Sequence, residues 1–119
     1  EDCFNWFAHA YDKIINREIP AEIVYETDDV LAFKDINPVA STHILVIPKK
    51  NIPTINDIKK EDAHILADLF LSVKKIAKNL NIDRNGYRIV INCNDDGGQT
   101  VYHLHFHLIG GRKLNWPPG

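Results

Sequence analysis

Apolar positions change period several times along the 119-residue chain, and each change marks an element. The opening CFNWFAHAYDKIINREIP spaces Phe4, Phe7, Tyr11, Ile14 and Ile15 as on one face of a helix that Pro20 closes. Two β-like runs follow, EIVYE over Glu22 to Glu26 and VLAFK over Val30 to Lys34, with Thr27-Asp28-Asp29 as a hairpin link. Asp35-Ile36-Asn37-Pro38 reads as a turn, because a residue before proline avoids the helical region. THILVIP, Thr42 to Pro48, is a third strand whose unbroken apolar run predicts burial on both faces.

The clearest helix covers Lys60 to Leu80, where Leu66, Leu69, Val73, Ile76 and Leu80 recur at steps of 3, 4, 3 and 4. Glu61 and Asp62 at its start and Lys74, Lys75 and Lys78 near its end suit the helix dipole. Asn85-Gly86 turns the chain into a fourth strand, YRIVIN, Tyr87 to Asn92. A glycine-bearing loop, Cys93 to Gln99, leads to a fifth, TVYHLHFHLI, Thr100 to Ile109. The tail GGRKLNWPPG predicts no regular element. The order α-β-β-β-α-β-β, with short links between strands, predicts an α+β fold: one domain over residues 1–119, with a mainly antiparallel five-stranded sheet and two main helices.

Composition narrows the partners. Fourteen basic and sixteen acidic residues give a net charge of −2, so a general basic surface for nucleic acid is not expected. An anionic ligand would have to be met locally. Cys3 and Cys93 stand far apart without a signal-peptide pattern, which favours two free thiols over a bridge. No apolar run approaches the ~20 residues of a membrane span. Because the chain opens on Glu1 rather than Met, a preceding targeting segment stays an open question.

Three of the six histidines fall at alternate positions in the fifth strand: His103, His105 and His107. On a strand they share one face, while Leu104, Phe106 and Leu108 occupy the other. Three roles are open to such a row. A metal site is awkward, since at about 3.3 Å per residue the outer two stand roughly 13 Å apart, too far for bonds near 2 Å to one ion. A functionless surface row explains neither the spacing nor the preceding Gly97-Gly98-Gln99-Thr100. Chemistry on phosphorus fits better: a neutral imidazole is a competent nucleophile near pH 7, and a glycine-bearing loop can aim N–H groups at an anion.

His103-Leu104-His105-Phe106-His107-Leu108-Ile109 resembles the signature of the histidine triad superfamily. The segments KIINREIPAEIVYE, LAFKDINP, THILVIPKK, GYRIVIN and GGQTVYHLHFHLIGGR, with the closing WPPG, resemble its Hint branch from about Phe4 onward. The resemblance implies a homodimer whose two sheets join into ten strands. It implies hydrolysis of purine nucleoside phosphoramidates, and of aminoacyl-adenylates, without metal or cofactor. By this resemblance His105 is the nucleophile, His103 orients it, His107 serves the phosphate and the leaving group, and His43 supports them. Asn92, Gly98, Gln99 and Thr100 match positions around the phosphate, and Asp35 the carboxylate that holds the ribose hydroxyls. Ile14, Ile19, Phe33 and Ile36 match the apolar pocket for the purine. A purine nucleotide of the AMP or GMP type is the expected small-molecule partner, with no membrane involved and a location in the cytoplasm or also the nucleus.

The chain departs from the branch at Cys93-Asn94-Asp95 and at Asn115, and has Thr100 where serine is common. Two other readings stand beside the phosphoramidase: a dinucleoside polyphosphate hydrolase of the same superfamily, and a nucleotide-binding scaffold with incidental hydrolysis.

Overall fold

The computed structural model describes the backbone of residues 2–119 and the side chains from residue 9 onward. The expected helical contacts of Phe4 and Phe7 and the state of Cys3 lie outside the described side chains. Helix α1 spans Asp2–Ile15 and is closed before Pro20: Arg17 turns left-handed at φ 62°, and Glu18 N–H returns to the Lys13 carbonyl. Strands β1 (Ile23–Glu26), β2 (Val30–Lys34) and β3 (Thr42–Pro48) follow as the pattern predicts. Thr27 fastens the β1–β2 link, since its hydroxyl oxygen accepts from Val30 N–H and its proton goes to Asp68. Helix α2 spans Ala63–Asn79, preceded by a 3-10 turn over Lys60–Asp62.

Strand β4 covers Tyr87–Val90, and a short helix α3, Asn94–Gly97, stands where a loop is predicted. The last strand departs most from expectation. β5 begins only at Phe106 and runs to Gly110; residues 100–105 are not a strand. The ladder explains the difference. β3 pairs with β5 no further than Val46 opposite Phe106. Before that point Leu104 N–H bonds to the Ile52 carbonyl, which draws the chain away from a straight path.

The sheet order is β1-β2-β3-β5-β4, antiparallel throughout, with β4 on an edge. Alternation gives it two different faces. One face sends Val30, Ala32, Ile44, Val46, Phe106 and Leu108 against Ile65, Leu69, Val73 and Ile76 of α2. Leu80, the last residue of the predicted stripe, is 38% exposed. The other face carries Leu31, Phe33, Leu45 and Ile47 against Ala10, Tyr11 and Ile14 of α1. Gly110 of the tail belongs to β5; beyond it the tail forms no helix or strand, and Arg112 ties it down by donating to the Val39 carbonyl.

Candidate active site

On the α1 face, β3 and β5 set two imidazoles side by side. His43 pairs across the ladder with Ile109, and His107 with Leu45. Two residues out of step on neighbouring strands, their rings meet with His43 Nε2 and His107 Nδ1 2.9 Å apart. The protons can be assigned from the surroundings. Val39 N–H points at His43 Nδ1 over 3.2 Å, so Nδ1 accepts and the proton of neutral His43 sits on Nε2. His43 Nε2–H then donates to His107 Nδ1, which leaves His107 with its own proton on Nε2. Asp35 Oδ2 lies 3.4 Å from His43 Nε2, and Asp35 Oδ1 accepts from Asn37 N–H at 2.8 Å.

His105 precedes β5 and curls back on its own chain. Its Nδ1–H donates to the His103 carbonyl at 2.7 Å. A carbonyl only accepts, so the proton of the neutral ring belongs on Nδ1 and the Nε2 lone pair is free. The predicted alternation on a flat strand is therefore replaced by a tighter cluster, with the His105 and His107 rings 5.0 Å apart. The bond between His103 and His105 thus runs through the His103 main chain, not its ring. The His103 ring is wholly buried, donates from Nε2 to the Pro48 carbonyl at 2.7 Å, and stands edge-on to Tyr11.

Burial sets the charge state. It pushes the imidazoles of His103 and His105 below the ordinary histidine range. His107 falls to about 4, through burial first and then the neighbouring His105 and His43. Near pH 7 His105 and His107 are thus neutral, with a free lone pair on His105 and an N–H donor on His107.

The other predicted residues fall into three groups. Ile14 and Phe33 are buried in the α1-side core, and Ile19 packs against it. Ile36 is 91% exposed on the turn after Asp35, outside that core. Gln99 is 5% exposed and fully engaged: Oε1 accepts from Asn94 N–H, and Nε2 donates to the Pro53 and Val101 carbonyls. Gly98 supplies the left-handed end of α3 at φ 82°, and its N–H bonds to the Asp95 carbonyl. Gly98 and Gln99 therefore spend their donors on shaping the loop. Asn92 is half-buried against Gly97, and Thr100 is exposed.

The sequence reasoning missed two site residues, Tyr11 and Asp12 of α1. Tyr11 stands edge-on to His105 at 5.2 Å and to Phe33 at 5.5 Å. Asp12 lies 3.4 Å from His103 Nδ1. Their helical spacing showed only which side of α1 faces inward.

These features define a class. The HIT domain family profile matches residues 16–114, and the chain belongs to that family. Among its relatives, the purine nucleoside phosphoramidase of Escherichia coli K12 is 51% identical over 104 residues, covering 87% of each chain. A 14 kDa zinc-binding protein of Zea mays is 51% identical over 111 residues, covering 92% of this chain and 86% of that one. Among solved structures, a HIT family hydrolase of Legionella pneumophila superposes with a TM-score of 0.90 at 50% identity, covering 92% of this chain and 97% of that one.

The maize relative's name invites a test of metal binding. Asp35, His43 and His107 bring one donor atom each within 4.8 Å of one another. Yet the His43 atom that meets both partners, 3.4 Å from Asp35 and 2.9 Å from His107, is Nε2, which carries the proton because Val39 N–H occupies Nδ1. A metal there would have to displace that proton and turn Nδ1–H against Val39 N–H. The donor set does not fit an ion in this conformation. Among the described residues, no helix is long and apolar enough to cross a membrane.

Proposed function

We propose that the protein is a hydrolase of purine nucleoside phosphoramidates, and of aminoacyl-adenylates, acting through a nucleotidyl-histidine intermediate. One observation carries the reading: His105 is buried, neutral and held by its Nδ1–H on a main-chain carbonyl, so Nε2 is its only basic atom. Nε2 attacks the α-phosphorus, the P–N bond to the amine breaks, and the amine leaves with a proton drawn from solvent, which the attacking water gives back in the second step. The imidazole becomes cationic, and its Nδ1–H strengthens its bond to the His103 carbonyl. Water then attacks phosphorus, the P–Nε2 bond breaks, and the nucleoside monophosphate departs.

The remaining roles are those that the family resemblance implies. His107 Nε2–H donates to a phosphate oxygen and assists the leaving group, and His43 keeps that proton on the outer nitrogen. Thr100 and Asn92 serve the phosphate and leaving group, with Gly98 and Gln99 shaping their loop. Asp35 accepts from the ribose hydroxyls, while Ile14, Ile19, Phe33 and Ile36 hold the purine. The edge strand β4 pairs with its copy in a homodimer, for which the exposed Phe70, Leu71 and Tyr87 supply apolar area. The location proposed is the cytoplasm.

The test is a rate panel on an adenosine phosphoramidate, an aminoacyl-adenylate and a diadenosine polyphosphate, with mass analysis of the quenched enzyme. Fastest release of AMP from the phosphoramidate, with an adenylyl group trapped on His105, is the expected result. Preference for the dinucleotide would move the protein to the dinucleoside polyphosphate hydrolases. Sedimentation checks the dimer: a monomer at micromolar concentration removes it.

A further inference from the structure

His103 is wholly buried, and its two ring nitrogens are treated unequally. Nε2–H donates to the Pro48 carbonyl, so in the neutral ring Nδ1 is a bare lone pair. That atom is sealed from solvent and has no hydrogen-bond partner among the described residues. Facing it is a second acceptor, Asp12 Oδ1 on α1, 3.4 Å away. The carboxylate is itself held: Asn51 Nδ2 donates to Oδ2 at 3.1 Å, and His9 Nδ1 lies 3.5 Å from the same oxygen. Asp12 keeps 31% of its side chain exposed, but the nitrogen it faces is sealed, and two acceptors so aimed repel unless one proton lies between them.

We propose that Asp12 is a positioning residue for the triad: it holds His103 Nδ1 through one proton shared between ring and carboxylate, and so fixes the carbonyl that orients His105. The inference rests on reading His105 as the nucleophile. His103 lies in the non-regular stretch before β5, so no ladder bond holds its carbonyl in place. Among the described residues, the polar contacts that anchor the segment are the ring bond to Pro48, the neighbouring Leu104 N–H bond to Ile52, and the Asp12 contact. Burial opposes a lone imidazolium here, and the Asp12 carboxylate pulls the other way. A proton shared between the two makes a pair that is neutral as a whole. The titratable groups around the ring are Asp12, with His9 behind it, and Tyr11 from α1, and His105 from its own segment. Among the described residues, the β3 side contributes the Pro48 carbonyl and the Asn51 amide.

The experiment uses the full chain with Asp12→Ala and Asp12→Asn. Alanine offers Nδ1 nothing, whereas the asparagine amide offers an N–H that needs no extra proton. Asp12→Ala lowers kcat about tenfold, the size of one lost hydrogen bond to a charged group, with KM within about twofold. Asp12→Asn recovers turnover relative to Asp12→Ala and lacks the alkaline decline seen when the native pair loses its proton. Nitrogen-15 NMR of the imidazoles shows His103 gaining its second proton about one pH unit lower, or more, in Asp12→Asn than in the native protein. That arm needs no turnover: a native protein inactive on phosphoramidates sinks the nucleotide reading and leaves the Asp12 question to NMR. An unchanged His103 titration, or equal loss of kcat in both variants, overturns the role of Asp12. If the alanine variant does not fold, the asparagine titration still decides.

Discussion

The two faces of the sheet share five strands and bury opposite kinds of surface. Toward α2, aliphatic and aromatic side chains meet one another: Leu69, Val73 and Phe106 are at most 2% exposed within one continuous cluster. Toward α1, the smaller cluster around Tyr11, Phe33 and Leu45 gives way to imidazoles, whose nitrogens are met by Val39 N–H and by the carbonyls of Pro48 and His103. Non-directional burial dominates on the first face, so its cost of change is graded by volume. Directional bonds govern the second, so changes there act on proton placement before they act on stability.

The largest expected effect separates the faces at once. His105→Ala lowers turnover of an adenosine phosphoramidate by about a thousandfold or more, without a lower melting temperature, as steady-state rates and calorimetry would report. On the opposite face Leu69→Ala removes a fully buried side chain and costs about 3 kcal/mol in urea unfolding, while kcat per folded molecule stays unchanged. If Leu69→Ala changes kcat at constant folded fraction, the two faces are not independent.

Acid distinguishes them next. His107 has a folded pKa of about 4, below its ordinary value of 6.5, so the unfolded chain takes up the proton first. Its contribution is fully present above pH 6.5 and is lost as pH falls towards 4, on the order of 2 kcal/mol after allowance for its partial exposure. Denaturant titrations at pH 7 and pH 4.5 in His107→Gln and the native protein check this, and a parallel loss in both removes the assignment. The smallest effect is at Val39, which is 55% exposed. Val39→Pro deletes the N–H that sets the His43 proton and lowers kcat about fivefold, with little change in stability.

How legible these faces were in the sequence follows from their physics. β2 and β3 lie at their predicted bounds, and α2 differs by a 3-10 first turn and by ending at Asn79, one residue early, because period and burial coincide over most of these spans. The alternation of Leu104, Phe106 and Leu108 correctly placed all three in the α2-side core. It failed for the path of the chain before Phe106, where the Leu104 bond to Ile52 and the His105 bond to His103 bend the backbone. No periodicity encodes such bonds. For the same reason the sequence does not show that the Gln99 side chain is occupied inside its loop. Asp12 was invisible because its significance depends on an atom 91 positions further along the chain.

The main-chain carbonyl of His103 has a consequence for how the site tolerates mutation. Every residue type supplies a carbonyl, so no substitution at position 103 can delete the acceptor that His105 uses. Substitutions there shift its position by degrees, through the shape and anchoring of the new side chain. A one-residue insertion between His103 and His105 is another matter, since it moves the acceptor out of reach of Nδ1 altogether. The site is therefore forgiving of spelling and strict about spacing, and the alternation of the histidines records the length of a hydrogen-bonded curl.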